Sequence, residues 1–196
     1  MKKLLLLLFS LFFLSSPSVF ADDITDFEIE GISIGDSLLD YMTEDEIMSN
    51  KLNYLAGERQ YYVVGPGNLK IENFDSIEFY LKRNDKKFII QFLTAFIFSI
   101  KNIDDCKTIK TEIERNIESI LSSANKVDYG TIAHTFDNSG KSTVTTTVFW
   151  LDSDFIRTTC TIWSDEIKNG YPSWHDSISL SAGKGEINQW FNDGYK

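Results

Sequence analysis

The sequence predicts an α+β fold built on an antiparallel sheet. Several segments alternate apolar and polar residues and are separated by short turn-forming stretches, which is typical of β-hairpins. One segment near residue 110 carries apolar residues three and four positions apart, which predicts a single long amphipathic helix. The strands fall into two runs of three, each followed by a helix, and not into the strict strand–helix alternation of a parallel sheet. We therefore expect an antiparallel sheet of hairpins with one long helix, short N-terminal helices and a short C-terminal helix.

Residues 1–21 predict a signal peptide. Lys2 and Lys3 precede the apolar run from Leu4 to Leu14, and Val19 to Ala21 fits a cleavage site. We expect residues 22–196 to form a single exported α+β domain, located in the periplasm or outside the cell. No later apolar stretch reaches the roughly 18 uninterrupted residues of a membrane span, so no stable membrane insertion is expected after signal removal.

The chain is acidic. Without residues 1–21 it holds 17 Lys and Arg against 29 Asp and Glu, a net charge of −12. Such a surface repels nucleic acid and anionic membranes, so we expect a protein, peptide or glycan partner and no nucleic acid. The two histidines lie far apart in sequence, and the two cysteines are expected to pair, so no metal or other cofactor is predicted.

The segment "SIGDSLLDYM" reads as the start of a short helix after a half-exposed strand. Gly35 allows the backbone to turn, and Asp36 or Ser37 is placed to accept hydrogen bonds from the first free N–H groups of the helix. A second start follows at once, with Thr43 as cap and Glu46 three residues later, the spacing of a capping box. Two short N-terminal helices are therefore predicted.

The same residues support a second hypothesis. Gly35–Leu38, read Gly-Asp-Ser-Leu, resembles the signature of the GDSL esterase and lipase family. The resemblance covers about ten residues and implies a serine nucleophile at Ser37, a doubly wound sheet and a late histidine base that follows an Asp by three residues. The longer stretch "EGISIGDSLLDYM" also resembles the start of exported bacterial proteins of unassigned function, which implies a compartment and no particular chemistry.

The histidines depart from that family's pattern. Pro172 lies three residues before His175, and Thr131 lies three residues before His134. A serine needs a base within hydrogen-bond reach, and His175 is the candidate if geometry supplies what spacing does not. We expect a non-catalytic binding or interaction module, with a GDSL-like hydrolase that uses Ser37 and His175 as the alternative.

The two cysteines predict a disulfide. Cys106 begins the apolar stripe of the long helix, on which Lys110 and Glu114 fall outside the stripe. Cys160 shares a strand face with Ile162, so both thiols point inward. Because export exposes the chain to an oxidising compartment, a structural Cys106–Cys160 bridge is expected.

The hairpin registers are predicted by matching apolar faces. In the first hairpin, a two-residue loop at Asn84–Asp85 sets Phe79 opposite Ile90. In the second, a three-residue loop at 152–154 sets Thr146 opposite Cys160. The remaining predicted partners are Leu81 with Phe88, Ile77 with Phe92, Val144 with Ile162, and Trp150 with Ile156.

The second register predicts an exposed face that carries Phe149, Arg157 and Trp163 among threonines. Aromatic residues and arginine are enriched where binding energy concentrates, so these three are the candidate binding residues. A threonine-rich sheet face also needs no function, because threonine favours strands and tolerates water. Asp152 to Asp154 and the segments "GPGN" and "GKGE" are interpreted as turns or helix starts. The last helix, from about residue 186 to 192, is expected to bury Ile187, Trp190 and Phe191.

Overall fold

The structure, a computed structural model, describes residues 23–53 and 59–194. The predicted signal peptide lies outside the described residues. The helices are α1 (Glu44–Ser49), α2 (Ile103–Ile120), α3 (Asp165–Gly170) and α4 (Gly185–Asn192), and the segments Ile24–Asp26 and Leu38–Asp40 are single 3-10 turns. The strands are β1 (Glu28–Ile29), β2 (Ile32–Ser33), β3 (Lys51–Leu52), β4 (Tyr61–Val64), β5 (Ser76–Lys82), β6 (Ile90–Ile97), β7 (Asn125–Ala133), β8 (Thr143–Leu151), β9 (Asp154–Ile162) and β10 (Ser177–Gly183).

The architecture is α+β, as predicted. β1 and β2 form a small hairpin, and the other strands form one eight-stranded sheet in the order β3-β4-β5-β6-β10-β9-β8-β7, with antiparallel neighbours. β10 lies between the two consecutive runs of strands, where Ile178 is opposite Ile97 of β6 and Cys160 of β9. The strand closest to the C-terminus therefore joins both halves of the sheet. Within the described residues, each helix is too short or too polar to cross a bilayer.

α2 covers one face of the sheet and is bonded to it covalently. Cys106 and Cys160 form a disulfide with their Cα atoms 6.0 Å apart, which confirms the predicted bridge. Ile117 and Leu121 are buried against the core that α2 shares with the N-terminal segment. The predicted apolar stripe is wrong in part, because Ile120 is 40% exposed. Two charged residues, Lys110 and Glu114, occupy the buried side of α2 instead.

α4 covers one end of the opposite face. Ile187 and Trp190 are buried there and Phe191 is half-buried, which confirms the predicted apolar edge of the last helix. They pack on a second core cluster that includes Phe92 and Phe155. Beyond α4 the same face is lined mainly by small polar side chains, because Thr146, Thr159, Thr161, Ser179 and Ser181 alternate with the residues that point toward α2.

The predicted register of the first hairpin is wrong. Phe79 lies opposite Leu93 and Leu81 lies opposite Ile90, with a bulge after Tyr80. The strands are joined by residues 83–89, where the Asp85 carboxylate accepts hydrogen bonds from two backbone N–H groups of the loop. β6 is apolar on both faces, so matching apolar residues could not distinguish this register from the predicted one.

The second hairpin is displaced by one residue from its predicted register. Its turn holds only two residues, Asp152 and Ser153, and Asp152 takes the left-handed conformation (φ 54°) that such tight turns require. Phe149 therefore lies opposite Ile156, and Thr145 lies opposite Cys160. Because the side-chain period of a strand is two, this slip moves every side chain of β8 to the other face.

Candidate functional site

The structure does not bring the three predicted binding residues together. Phe149 is 1% exposed and faces α2, where the Lys126 ammonium lies 5.4 Å from its ring centroid. Arg157 is on the opposite face, with its guanidinium carbon 5.5 Å from the ring centroid of Phe155 near α4. Trp163 lies just beyond the end of β9. A single exposed face with all three is therefore wrong, and the one-residue slip in the hairpin register is the reason.

Ser37 acts as a helix cap. Its hydroxyl donates to the carbonyl of Lys87 at 2.7 Å and accepts from the N–H of Leu39 at 3.2 Å. The capping box of Thr43 and Glu46 is also present. The predicted caps are confirmed, although Asp36 has a different function from the one considered. Its carboxylate closes the β1–β2 region by accepting from the N–H of Ser33 (2.9 Å) and the Tyr41 hydroxyl (2.6 Å).

The structure does not place His175 beside Ser37. Ser37 forms an isolated bridge with Ile89, just before β6, whereas the His175 ring lies 5.8 Å from the ring of Phe98, just after β6. An extended strand rises about 3.3 Å per residue, so these two ends of β6 are roughly 30 Å apart. The histidine predicted for the hydrolase alternative is thus at the other end of the sheet.

The candidate site is a group of five ring side chains at that end, which we call the aromatic cluster: His134, Phe136, Trp163, Tyr171 and Trp174. They come from three loops: two rings follow β7, one follows β9 and two follow α3. Centroids lie 4.3 Å apart for His134 and Trp163, 4.7 Å for Trp163 and Trp174, 4.7 Å for Phe136 and Trp174, and 4.8 Å for Tyr171 and Trp174. Phe136 and Tyr171 are 46% and 45% exposed. The cluster is thus packed within itself and open to solvent.

A buried carboxylate holds the loop that carries His134 and Phe136. Asp137 accepts from the N–H of Ser139 (2.9 Å) and from the N–H and hydroxyl of Ser142 (2.9 and 2.6 Å). The Ser142 oxygen in turn accepts from the N–H of Ser164, next to Trp163. These donors, those of Ser139 first, hold the pKa of Asp137 far below its ordinary range. The network fixes the β7–β8 loop against the start of α3.

A second carboxylate holds the other loops. Asp176 accepts from the backbone N–H of Trp163 at 2.8 Å and pairs with the Lys168 ammonium at 2.8 Å. The N–H of Trp174 donates to the carbonyl of Tyr171 at 2.8 Å, which closes a turn. Both tryptophans are therefore placed by backbone hydrogen bonds as well as by ring packing.

His134 belongs to the cluster as a neutral ring. Its Nδ1 accepts from the N–H of Phe136 at 3.1 Å, so in this arrangement its proton is on Nε2. Burial lowers the pKa of His134 below its ordinary value of 6.5, although the nearby Asp137 charge opposes that change. Near neutral pH the ring therefore adds apolar surface and no charge.

Exposed apolar side chains also lie on β7, the strand that leads into the loop of His134 and Phe136. Ile132 of this strand is 57% exposed and lies opposite Val144 of β8. Alternation along the strand places it on the same face as His134, two residues later. Tyr129 of β7 is 54% exposed. Four of the eight large apolar side chains that are exposed in the described residues thus belong to β7 or the cluster.

Comparisons with protein-family models, curated proteins and solved structures find no match.

A buried polar cluster lies beneath α2. Lys110 and Glu114 are 6% and 8% exposed and form an ion pair with each other. The Lys110 ammonium also donates to the Thr147 hydroxyl at 2.6 Å, and the Thr158 hydroxyl donates to the Glu114 carboxylate at 2.9 Å. Lys126 lies 3.1 Å from the same carboxylate. Each charged group therefore has hydrogen-bond and ion-pair partners, which explains why Thr147 and Thr158 face the core.

The weaker candidates have structural functions. Asp154 pairs with the Lys184 ammonium at 2.9 Å and accepts from the N–H of Gly185 at 2.9 Å, so its carboxylate caps α4. The segment "GPGN" is a turn closed by a bond from the Leu69 N–H to the Pro66 carbonyl. Within residues 23–53 and 59–194, no three or more His, Cys, Asp or Glu side chains are grouped to hold a metal ion.

Of the cluster, sequence reasoning found only Trp163. The other four rings lie in "HTF" and "YPSW", two short polar stretches about 35 positions apart in the chain. Aromatic side chains in loops that also contain proline and serine were the available signal, since such loops run over the surface. Only the hairpin register and the loop conformations show that these stretches meet.

Proposed function

We propose that the protein is an exported, non-catalytic binding module that binds an extended peptide segment of a partner protein at the aromatic cluster. The observation that carries this proposal is the exposure of Phe136 and Tyr171, at 46% and 45%, within a packed group of rings. Contiguous exposed apolar patches on soluble proteins mark interaction sites more often than single exposed residues do. Tyrosine and tryptophan are also enriched among the residues that contribute most to binding.

The rigidity of the cluster supports binding. The Asp137 and Asp176 networks fix the loops before any ligand arrives. A preorganised surface loses little conformational entropy on association, so a larger share of the contact energy appears as affinity. Aromatic side chains also have few rotatable bonds, which lowers the same cost further.

The arrangement of the rings favours a peptide over a glycan. Phe136 is tilted by 47° against Trp174 and by 71° against Tyr171, and Trp163 is tilted by 49° against Trp174. Tyr171 and Trp174 stack on each other at 25°, so each covers one face of the other. Rings packed in this way cover parts of one another and leave a corrugated surface of edges, not one flat platform for a sugar ring. The apolar surface also continues along a strand, which fits an extended chain.

Export is supported by the sequence and is compatible with the structure. Residues 1–21 have the composition of a signal peptide, and the Cys106–Cys160 disulfide is of the kind that persists in an oxidising compartment. The ligand is therefore expected on a protein in the periplasm or outside the cell.

A selection with a phage-displayed library of short random peptides tests the proposal. Peptides are selected on residues 22–196 and then measured against the variant Phe136→Ser/Tyr171→Ser. We expect enriched peptides whose affinity falls at least about 10-fold in that variant, which corresponds to roughly 1.4 kcal/mol. Met48→Ser is the matched control, because Met48 is 49% exposed on α1 and outside the cluster. Failure to enrich any peptide, or equal affinity for all three proteins, would contradict the proposal.

A further inference from the structure

β7 is a long edge strand beside the aromatic cluster. It is the last strand in the sheet order, and no other strand within the described residues pairs with its outer side. Seven of its nine residues are exposed. The strand at the opposite edge, β3, has only two residues. Natural sheets usually keep edge strands short, charged or covered, because an open edge can pair with another chain.

The half of β7 next to the cluster lacks such protection. Lys126 and Asp128 lie in the first half, and a bulge follows in which the Asp128 carboxylate accepts from the N–H of Gly130 at 2.8 Å. The second half, Gly130–Ala133, contains no charged residue and no proline. It leads directly into the loop of His134. The first half of the β7 edge is therefore protected by charges and a bulge, whereas the second half, next to the aromatic cluster, is open.

The hydrogen-bond pattern shows which backbone groups face outward. The N–H of His134 donates to the carbonyl of Ser142 on the β8 side at 2.8 Å. In an antiparallel ladder, successive residues direct their N–H and C=O groups to alternate sides. The backbone N–H and C=O groups of Ile132 thus point toward β8, as the N–H of His134 does. Those of Thr131 and Ala133 point to the open side.

We infer that the open edge of Gly130–Ala133 binds the ligand as a ninth strand and that the ligand is a basic, extended segment of a partner protein. The inference rests on the proposed function. Thr131 and Ala133 supply main-chain hydrogen bonds, as in other cases of strand addition. Side chains of the added strand then lie over Ile132 and the rings of the cluster.

The charge of the chain selects the ligand. With a net charge of −12 after residue 21, the protein attracts a basic segment and repels a second copy of itself. The bulge limits the length of a continuous added strand, which further disfavours pairing of two complete β7 strands.

Substitution at Ala133 tests the edge. Ala133→Pro removes one outward N–H and leaves the bonds between β7 and β8 in place, since proline is tolerated in edge strands whose N–H faces solvent. Ala133→Thr is the matched control that keeps the N–H. For the tightest selected peptide, we expect Ala133→Pro to bind at least about 10-fold more weakly and Ala133→Thr to bind within about 2-fold of the wild type. The enriched peptides should also contain more Lys and Arg than the library.

The outcomes separate this inference from the proposed function. Wild-type affinity in Ala133→Pro, with loss in Phe136→Ser/Tyr171→Ser, would overturn strand addition and leave the proposed function standing. Wild-type affinity in both variants would overturn both. A wild-type dimer that Ala133→Pro converts to a monomer would identify a second copy of this chain as the occupant and overturn the peptide proposal.

Amide hydrogen exchange gives a second measurement that does not depend on the proline variant folding. We expect the selected peptide to slow exchange of the Thr131 and Ala133 amides in the wild-type protein. Unchanged exchange at both amides under saturating peptide would overturn the inference. Enriched peptides without an excess of Lys and Arg would overturn its claim of a basic ligand.

Discussion

Two regions depart in opposite ways from the usual pattern of buried apolar and exposed charged side chains. One is the interface between α2 and the sheet, and the other is the aromatic cluster beyond β9. The interface buries charged side chains, whereas the cluster exposes large apolar ones. Lys110 and Glu114 are almost fully buried, and each has the other and a threonine hydroxyl as partners. Phe136 and Tyr171 are nearly half exposed, although they pack on each other with centroids 5.6 Å apart.

The two regions differ in whether the chain itself offsets the free-energy cost of the unusually placed side chains. A buried charge is costly unless it is paired and hydrogen-bonded, and the α2 interface supplies those partners internally. An exposed apolar patch is compensated only by something that covers it. The interface is therefore complete within the chain, and the cluster is the region where a partner would contribute.

Removal of the disulfide should destabilise the α2 interface most. The bridge spans a sequence separation of 54 residues. In the chain-entropy model, a loop of this size corresponds to about 4 kcal/mol. We expect Cys106→Ser/Cys160→Ser to lower the free energy of unfolding by that amount in urea denaturation, with peptide binding retained in the folded fraction. Mass spectrometry of the native protein should find no alkylatable thiol, and two alkylatable cysteines would contradict the bridge.

Disruption of the buried ion pair should have the next largest effect. Glu114→Leu leaves the Lys110 ammonium buried with only the Thr147 hydroxyl beside it, and we expect a loss of about 3 kcal/mol in the free energy of unfolding. The double variant Lys110→Met/Glu114→Leu is the control. Because it leaves no unpaired charge at these two positions, it should be more stable than Glu114→Leu, although the Thr147 and Thr158 hydroxyls lose their charged partners. If the two variants are equally destabilised, the loss is not due to an unpaired charge.

The sequence was sufficient for the features that depend on local pattern. The helix α2 and the caps at Ser37 and Thr43 follow from neighbours within a few residues. The pairing of Cys106 with Cys160 follows from the expected export of a chain with two cysteines. The hairpin registers do not follow from local pattern. Thr147 looks like a surface residue of a strand, and only the presence of Lys110 across the interface makes its burial favourable.

The candidate site was predictable only for Trp163. Its partners lie on other loops, and the one-residue error in the β8–β9 register placed Phe149 on an exposed face where it does not lie. When polar residues of a strand face inward as partners of buried charges, matching of apolar faces assigns them to the solvent side. The predicted register is then wrong by one residue. Long-range partners of this kind are not visible in a local pattern.

Substitutions at the aromatic cluster should affect stability less than those at the α2 interface. Phe136 and Tyr171 are nearly half exposed, so they bury less apolar area than rings of the core do. We expect Phe136→Ser/Tyr171→Ser to lose about 2 kcal/mol in the free energy of unfolding, because the variant removes three partly exposed ring pairs. The same variant should lose peptide affinity. A loss as large as that of Glu114→Leu would show that the cluster is part of the structural core, and the contrast between the two regions would then be wrong.

The smallest effect is expected from protonation of His134. Burial lowers the pKa of this ring below 6.5 in the folded state, with Asp137 opposing the change. The unfolded chain therefore binds a proton at higher pH than the folded chain. The stability contributed by the neutral ring is complete above pH 6.5 and is lost as the pH falls from there through the folded pKa.

Tryptophan fluorescence can follow this titration, because the His134 ring centroid lies 4.3 Å from that of Trp163. We expect a fluorescence change with a midpoint below 6.5 that His134→Gln abolishes and His175→Gln retains. The affinity for a basic peptide should fall over the same range, because the protonated ring places a positive charge in the cluster. A midpoint at or above 6.5 would mean that His134 is not buried by its neighbours in solution. If the midpoint is lower but peptide affinity is unchanged, the ring titrates within the cluster but the peptide binds elsewhere.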